Sequence, residues 1–192
     1  NNPVIFIEHR WVHHLVDDVP VNEYKVELGK ARVLLPGNKL TIAGFSFAIV
    51  EALQMARELA RYGVDVEVVD MRSARPLDVE TLSQSVRKTG HLIAVDAGWA
   101  CCGLASELVA LMAMHEFASL KKAPACLTYP DHPSPTSTHM TGGYFPGPAD
   151  LLDTVMKQLD SPLDAVQLAS AKSAISRTGN LDVPSASFTG PF

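Results

Sequence analysis

The amino-acid sequence predicts an α/β fold: a three-layer sandwich whose mostly parallel sheet of about five strands carries helices on both faces. Two observations carry this expectation. Short β-rich runs alternate with longer runs of helical period through residues 39–159. Strand and helix alternating in that order build βαβ units with right-handed crossovers. The punctuation agrees, because Gly63 and Gly90 follow helical runs and Pro148 opens one, as expected for glycine at helix ends and proline at a first turn.

The elements follow in order. Val4-Ile5-Phe6-Ile7 reads as a strand with no room for a fold of its own. Leu40 to Phe45 reads as a buried strand, and Ser46 offers an N-cap for a helix to about Arg61. In that helix Ile49, Leu53, Ala56 and Ala60 recur three or four apart, opposite Glu51, Gln54, Glu58 and Arg61. Val64 to Val69 reads as a second strand, followed by a turn through Pro76 and a helix capped by Asp78 and stopped near Gly90. Leu92 to Val95, a helix from about Leu104 to Phe117, and a strand near Ala125 to Tyr129 come next. Pro148 then opens a helix through Asp150 to Leu159. Residues 160–192 are rich in Ser, Ala and Thr with three further prolines, a composition expected to pack loosely or be disordered.

One helix stands apart. Leu108 to Met114 has no polar residue on any face, and a helix apolar all round is buried from several sides. Either the tail or another subunit is expected to cover it. Symmetric association through Leu108, Leu111 and Met112 would do so.

Composition narrows the function. At 192 residues the chain holds one full domain, or one domain and a fragment. Apolar residues at 47% and charged residues at 19% describe a globular protein and exclude a wholly disordered chain or a coiled coil. Sixteen Lys and Arg against twenty-one Asp and Glu leave a net charge of −5 with no basic block, which excludes a nucleic-acid footprint. No apolar run reaches the ~18 residues of a membrane span. The start Asn1-Asn2-Pro3 lacks a secretory signal pattern and a Met, so the chain is expected to begin inside a longer gene product. Three cysteines, with Cys101 and Cys102 adjacent and Cys126 alone, make a poor disulfide framework and suggest a reducing, cytoplasmic setting.

Four constellations invite a chemical reading. Glu8-His9-Arg10-Trp11-Val12-His13-His14 holds ligand types for a metal, but its Glu precedes the first His, unlike the helical zinc-protease motif. Gly98-Trp99-Ala100-Cys101-Cys102-Gly103 lies between a strand and a helix, where a phosphate could sit. It lacks the Lys-Ser/Thr of a P-loop and the three-glycine dinucleotide fingerprint, so a tight connection is expected. Cys101 and Cys102 near that helix start could have lowered thiol pKa values, with no His close in sequence to act as base. Tyr129 to His139 gathers Ser, His and Asp, but four prolines from Pro130 to Pro146 describe a stiff connector. A free-standing small-molecule site would sit at the carboxyl ends of the strands, near Asp70, Asp96 and Gly98, and a partner-recruiting domain would use the extended tail after Leu159. Pattern alone therefore yields no catalytic set, no cofactor-binding residue and no metal ligand.

Five stretches, in series, carry a resemblance. They are Gly29-Lys30-Ala31-Arg32-Val33; Asp70-Met71-Arg72-Ser73-Ala74-Arg75-Pro76-Leu77-Asp78; Lys88-Thr89-Gly90-His91-Leu92-Ile93-Ala94-Val95; Gly103-Leu104-Ala105-Ser106-Glu107-Leu108; and Ala123-Pro124 through Pro130-Asp131-His132-Pro133-Ser134-Pro135 to Tyr144-Phe145-Pro146. From Val21 onward the chain resembles the C-terminal domain of transketolase-like, thiamine-diphosphate-dependent enzymes. Within them it is most similar to the beta subunit of the first component of 2-oxo acid dehydrogenases of the pyruvate, acetoin and branched-chain type.

The resemblance implies a domain organisation. Residues 1–20 would be the last strand and exit loop of a preceding pyrimidine-binding domain, 21–159 the transketolase C-terminal-like domain, and 160–192 a Ser/Ala-rich tail. It further implies that the parent is an oxidoreductase acting on 2-oxo acids, or a transketolase-like transferase. Its thiamine diphosphate and Mg would be held outside this chain, because the family's Gly-Asp-Gly and Asn-Asn motifs and its catalytic carboxylate lie elsewhere. Alone the chain would then be inactive, serving to organise the dimer and the active-site geometry. An alpha subunit and an acyltransferase core are the implied partners of the parent complex. The sequence departs from the family in its vicinal cysteines, in lacking a basic residue after Ala123-Pro124, and in its long tail.

Overall fold

In a computed structural model, which describes residues 2–13 and 15–176, the centre is a strand buried on every side. Strand β2 (Leu40–Gly44) is buried at all five positions. It lies between β3 (Val66–Asp70) and β4 (Leu92–Trp99), parallel to both. β5 (Ala125–Tyr129) adds a further parallel strand beyond β4. The outer position beside β3 is taken by an antiparallel strand, β1 (Arg32–Leu35), giving the order β1-β3-β2-β4-β5.

Because side chains alternate across a strand, the sheet feeds two cores. On one face Leu40, Ile42, Val66, Val68, Ile93 and Val95 pack with α1 (Ser46–Ala60), α4 (Pro148–Gln158) and α5 (Ala165–Ile175). On the other, Ala43, Val69, Leu92 and Ala94 pack with α2 (Val79–Thr89) and α3 (Leu104–His115). These are the three layers expected.

Polar groups inside the second layer are paired. Thr41 Oγ1 lies 2.7 Å from Ser85 Oγ and 2.8 Å from Thr89 Oγ1, so β2 and α2 share a buried hydroxyl cluster. Glu67, its side chain 2% exposed, pairs with Lys88 of α2 and accepts from the Gly37 amide at 3.2 Å. Arg87 grips Glu116 with two hydrogen bonds of 2.8 and 2.6 Å, fastening α2 to the end of α3. Asp78 caps α2 as expected, accepting from the Thr81 amide at 3.1 Å, and also takes the Ala31 amide at 2.9 Å, which secures the lead into β1.

Several expectations need correction. Val4–Ile7 forms no strand: the run is exposed and pairs with no strand among the described residues. Ser46 is not a cap but the first residue of α1, with φ 53, while Phe45 takes the cap position without a side-chain bond. The buried stripe of α1 is Ile49, Ala52, Met55, Ala56 and Leu59, so Ala60 faces solvent. Part of the tail is ordered: α5 starts with a reciprocal cap, in which Asp164 accepts from the Gln167 amide at 2.8 Å and Gln167 accepts from the Asp164 amide at 3.1 Å. It packs on α1 and α4, burying Ala171. The tail beyond residue 176 lies outside the described residues.

Among the described residues the apolar helix α3 is covered by the sheet and α2, not by the tail, and the residues expected to meet a second copy are turned inward. Leu108 and Met112 are fully buried in this chain's own core, with Leu111 packed against it. The large apolar side chains left outside are Met114 on α3, 70% exposed, and Phe117 just beyond it, 78% exposed.

Two outcomes follow. Leu108→Ala should cost about 2–5 kcal/mol of folding stability in urea denaturation, whereas unchanged stability with altered sedimentation would put Leu108 at a surface. Burial works to raise the Asp78 carboxyl pKa, but the bonds from Thr81 and Ala31 prevail and hold it below its ordinary value. Its contribution is therefore present above the unfolded pKa of about 3.9 and lost as pH falls through the lower folded value. Asp78→Ala should be about 1–2 kcal/mol less stable near pH 7, and the gap to the native chain should narrow below about pH 4.

Candidate functional site

The strand order reverses direction between β2 and β4, and in open α/β sheets a crevice opens at the carboxyl ends on either side of such a point. Here it is a cleft lined by Phe47 and Glu51 of α1, Val95 and Asp96 of β4, Tyr129 of β5, and Phe145 and Gly147 ahead of α4. Its free volume is about 50 Å³, against roughly 300–1,000 Å³ for small-molecule pockets. The location matches the strand-end expectation for Asp96, but the size leaves no room for a nucleotide.

The carboxylates at these strand ends serve the chain's own backbone. Asp96 Oδ2 accepts from the Leu104 amide at 3.2 Å, so a residue of β4 caps α3, whose own cap position is Gly103. Burial raises the Asp96 carboxyl pKa, opposed by amide bonds from Leu104, Ala105 and Ala97. Asp70 is likewise pushed up by burial, against the Arg72 amide at 3.1 Å and the charges of Arg72 and Arg32. Gly98 sits over Asp96, where a Cβ would come within 3.3 Å of the carboxylate.

The other candidate residues are placed as follows. His13 Nε2 meets Glu8 Oε2 at 2.9 Å, and His9 stacks on Phe47 with ring centroids 5.0 Å apart and Trp11 edge-on at 5.3 Å from Phe47. His14 lies outside the described residues. Among the described residues no group of three or more His, Cys, Asp or Glu could hold a metal ion. Cys101 and Cys102 are exposed at the β4–α3 connection. The Cys101 thiol is held above its ordinary pKa by its hydrogen bond and charge interaction with Cys102, and by Asp131. That opposes the lowered thiol pKa considered from sequence.

Sequence reasoning missed an aromatic clamp beside the cleft. Tyr144 Oη accepts from Trp99 Nε1 at 3.2 Å and donates to the His132 carbonyl at 3.1 Å. Its ring lies 5.5 Å from Tyr129 and 4.9 Å from Phe145. This clamp pins the proline connector across the ends of β4 and β5. The signal available was the placement of Trp99 and Tyr129 at strand ends with Tyr144-Phe145 closing the connector.

Comparison with known proteins fits this architecture. Residues 29–151 match the family described as transketolase, C-terminal domain. The beta subunit of acetoin:2,6-dichlorophenolindophenol oxidoreductase from Cupriavidus necator is 32% identical over 159 residues, covering 83% of this chain and 47% of that one. The pyruvate dehydrogenase E1 component subunit beta of Bacillus subtilis is 35% identical over 161 residues, covering 83% and 49%. Its mitochondrial counterpart in Drosophila melanogaster is 34% identical over 163 residues, covering 82% and 45%. A solved structure titled a split gene transketolase, inactive beta4 tetramer, superposes with a TM-score of 0.63 at 25% identity, over 77% of this chain and 47% of that chain. The chain spans about half the length of the curated relatives it matches.

Tyr144→Phe removes both clamp bonds while keeping the ring, so global stability should fall by only about 1–2 kcal/mol. Proteolysis between His132 and Gly143 should accelerate severalfold, read from cleavage rates by mass spectrometry.

Proposed function

The chain belongs to the transketolase C-terminal domain family, and from that premise we propose that it is the carboxyl-terminal part of a thiamine-diphosphate-dependent 2-oxo acid dehydrogenase beta subunit. In this role it organises the subunit assembly and the geometry of an active site that lies elsewhere. The observation that carries the reading is where apolar surface is left uncovered. Among the described residues eleven of the seventeen exposed large hydrophobics fall between Val4 and Leu28, including Ile5 at 85% and Val16 at 96%. From Gly29 onward the chain builds a sheet with a core on each face. An uncovered apolar run leading into a finished domain is what a domain junction leaves behind when its other half is missing.

This reading leaves thiamine diphosphate outside the described residues. The cleft has about 50 Å³ of room, and Asp96 is held by backbone amides. The cofactor and its Mg are therefore assigned to the rest of the parent enzyme, with an alpha subunit and an acyltransferase core as partners. In this reading contact with a second beta subunit moves from Leu108, Leu111 and Met112 to Met114 on the outer side of α3 and Phe117 just beyond it. Among the described residues no helix is long and apolar enough to cross a membrane. We place the parent in the cytoplasm, while some relatives carry the label mitochondrial.

A subunit can act on catalysis without touching substrate, since a ~1 Å misplacement of reacting groups can reduce rate on the order of 100-fold. The alternative, a free-standing small-molecule-binding domain, would need the same 50 Å³ cleft to serve as its site. Calorimetric titration of this chain with thiamine diphosphate and Mg²⁺ should be flat. A subunit that includes the upstream coding sequence, assembled with its alpha subunit, should bind the cofactor. Tight binding by the 192-residue chain alone would overturn the reading.

A further inference from the structure

The vicinal cysteines have no part in the function above, yet their geometry is specific. Cys101 Sγ and Cys102 Sγ lie 4.0 Å apart, both exposed, on the turn that joins β4 to α3. The turn is held on both sides. The Gly103 amide donates to the Ala100 carbonyl at 3.2 Å, and Ser106 Oγ donates to the same carbonyl at 2.6 Å. A Cβ on Gly103 would stand 2.0 Å from the Trp99 carbonyl oxygen. Cys102 itself has φ 56, a left-handed conformation for a non-glycine residue.

That spacing discriminates between two fates for a dithiol. A direct disulfide needs sulfurs about 2.05 Å apart and Cα atoms usually about 4.4–6.8 Å apart, whereas adjacent residues have Cα atoms about 3.8 Å apart. Closing an S–S bond here would therefore strain the ring. A single atom bridging two thiolates at about 2.3 Å, the length of a metal–thiolate bond, spans about 3.5 Å between the sulfurs at a pyramidal angle near ~100°, much nearer the 4.0 Å observed than the about 2.05 Å of a disulfide. Zinc would require four ligands in a structural site, and among the described residues no third His, Cys, Asp or Glu joins the pair. An acceptor that needs only two protein sulfurs is a trivalent arsenical, which brings its third substituent with it.

We propose that Cys101 and Cys102 form a dithiol site that captures one trivalent arsenical between the two sulfurs. With an organoarsenic oxide, both S–H bonds and the arsenic–oxygen bond break and two S–As bonds form. The oxygen leaves as water with both thiol protons. Arsenic stays trivalent, and no oxidant or reductant is needed.

The test uses the full chain and phenylarsine oxide, read by intact-mass spectrometry. One phenylarsenic group should add with loss of one water, survive excess monothiol, and be stripped by 2,3-dimercaptopropanol. Maleimide labelling of the native chain should fall by two thiols after arsenical treatment, a readout that needs no variant. Cys101→Ser and Cys102→Ser should each lower the monothiol-resistant adduct at least tenfold, while Cys126→Ser keeps it. Absence of the adduct, its removal by monothiol, its persistence in Cys101→Ser, or its loss in Cys126→Ser would overturn the proposal.

Discussion

At Gly44 the central strand approaches β4 so closely that a Cβ would stand 2.2 Å from the Val95 carbonyl oxygen. No other residue type tolerates such an approach without moving backbone. The contact locks the carboxyl end of β2 against β4 in the register Gly44 to Val95. It also fixes where α1 begins. The chain must leave the strand at once, and it does so through Ser46 in a left-handed conformation before turning into the helix. Phe47, Ala48 and Glu51 then descend beside Val95 and Asp96, and the space between them is the cleft. Its small size follows from how tightly the two strands meet.

Much of this was legible in sequence because burial and periodicity coincide. β2, β3 and β4 are buried, and their runs of Val, Ile, Leu and Ala stand out from the helical segments between them. What escaped notice lacked that coincidence. β1 is four residues long, begins with Arg32 and is exposed at its first two positions, so its strand character comes from pairing with β3 rather than from its own pattern. α5 is built from small residues with little contrast between its faces, and its clearest signal was local: Asp164 followed three positions later by Gln167. In α3 the uniform apolarity of Leu108 to Met114 disguised direction. The side turned toward the sheet and α2 buries Leu108 and Met112, while Met114 reaches solvent. The site was legible only as a location, since Asp96 could be placed at a strand end but its amide partners depended on how α3 starts.

The interior polar groups tie the elements of the domain to one another. Glu67, Asp78, Asp96 and Glu116 are carboxylates at junctions between elements, and each is bonded to an amide, a cation or both. Glu116 is held below its ordinary pKa chiefly by its hydrogen bonds from Arg87. The cations of these pairs, Arg87 and Lys88, are about half exposed, so solvent screens each pair in part while its carboxylate stays covered. Groups bound this firmly are poor proton carriers. They serve to hold α2, α3 and β1 in one relation to the sheet.

That rigidity gives the uncovered amino-terminal segment its consequence. The segment is not free along its whole length, because His9 and Trp11 seat their rings on Phe47 at the start of α1. Phe47 lies three residues after Gly44, on the first turn beyond the tight strand contact. The direction in which the preceding chain leaves the domain is thus referred back to β2 through the first turn of α1. If the apolar run from Val4 to Ile7 completes a neighbouring domain, the two bodies share this aromatic seat. The burial that run gains on joining, at about 25 cal/mol per Å² of apolar surface, then draws the neighbour onto a rigid frame. A frame of that kind contributes to catalysis by removing freedom from groups it never touches.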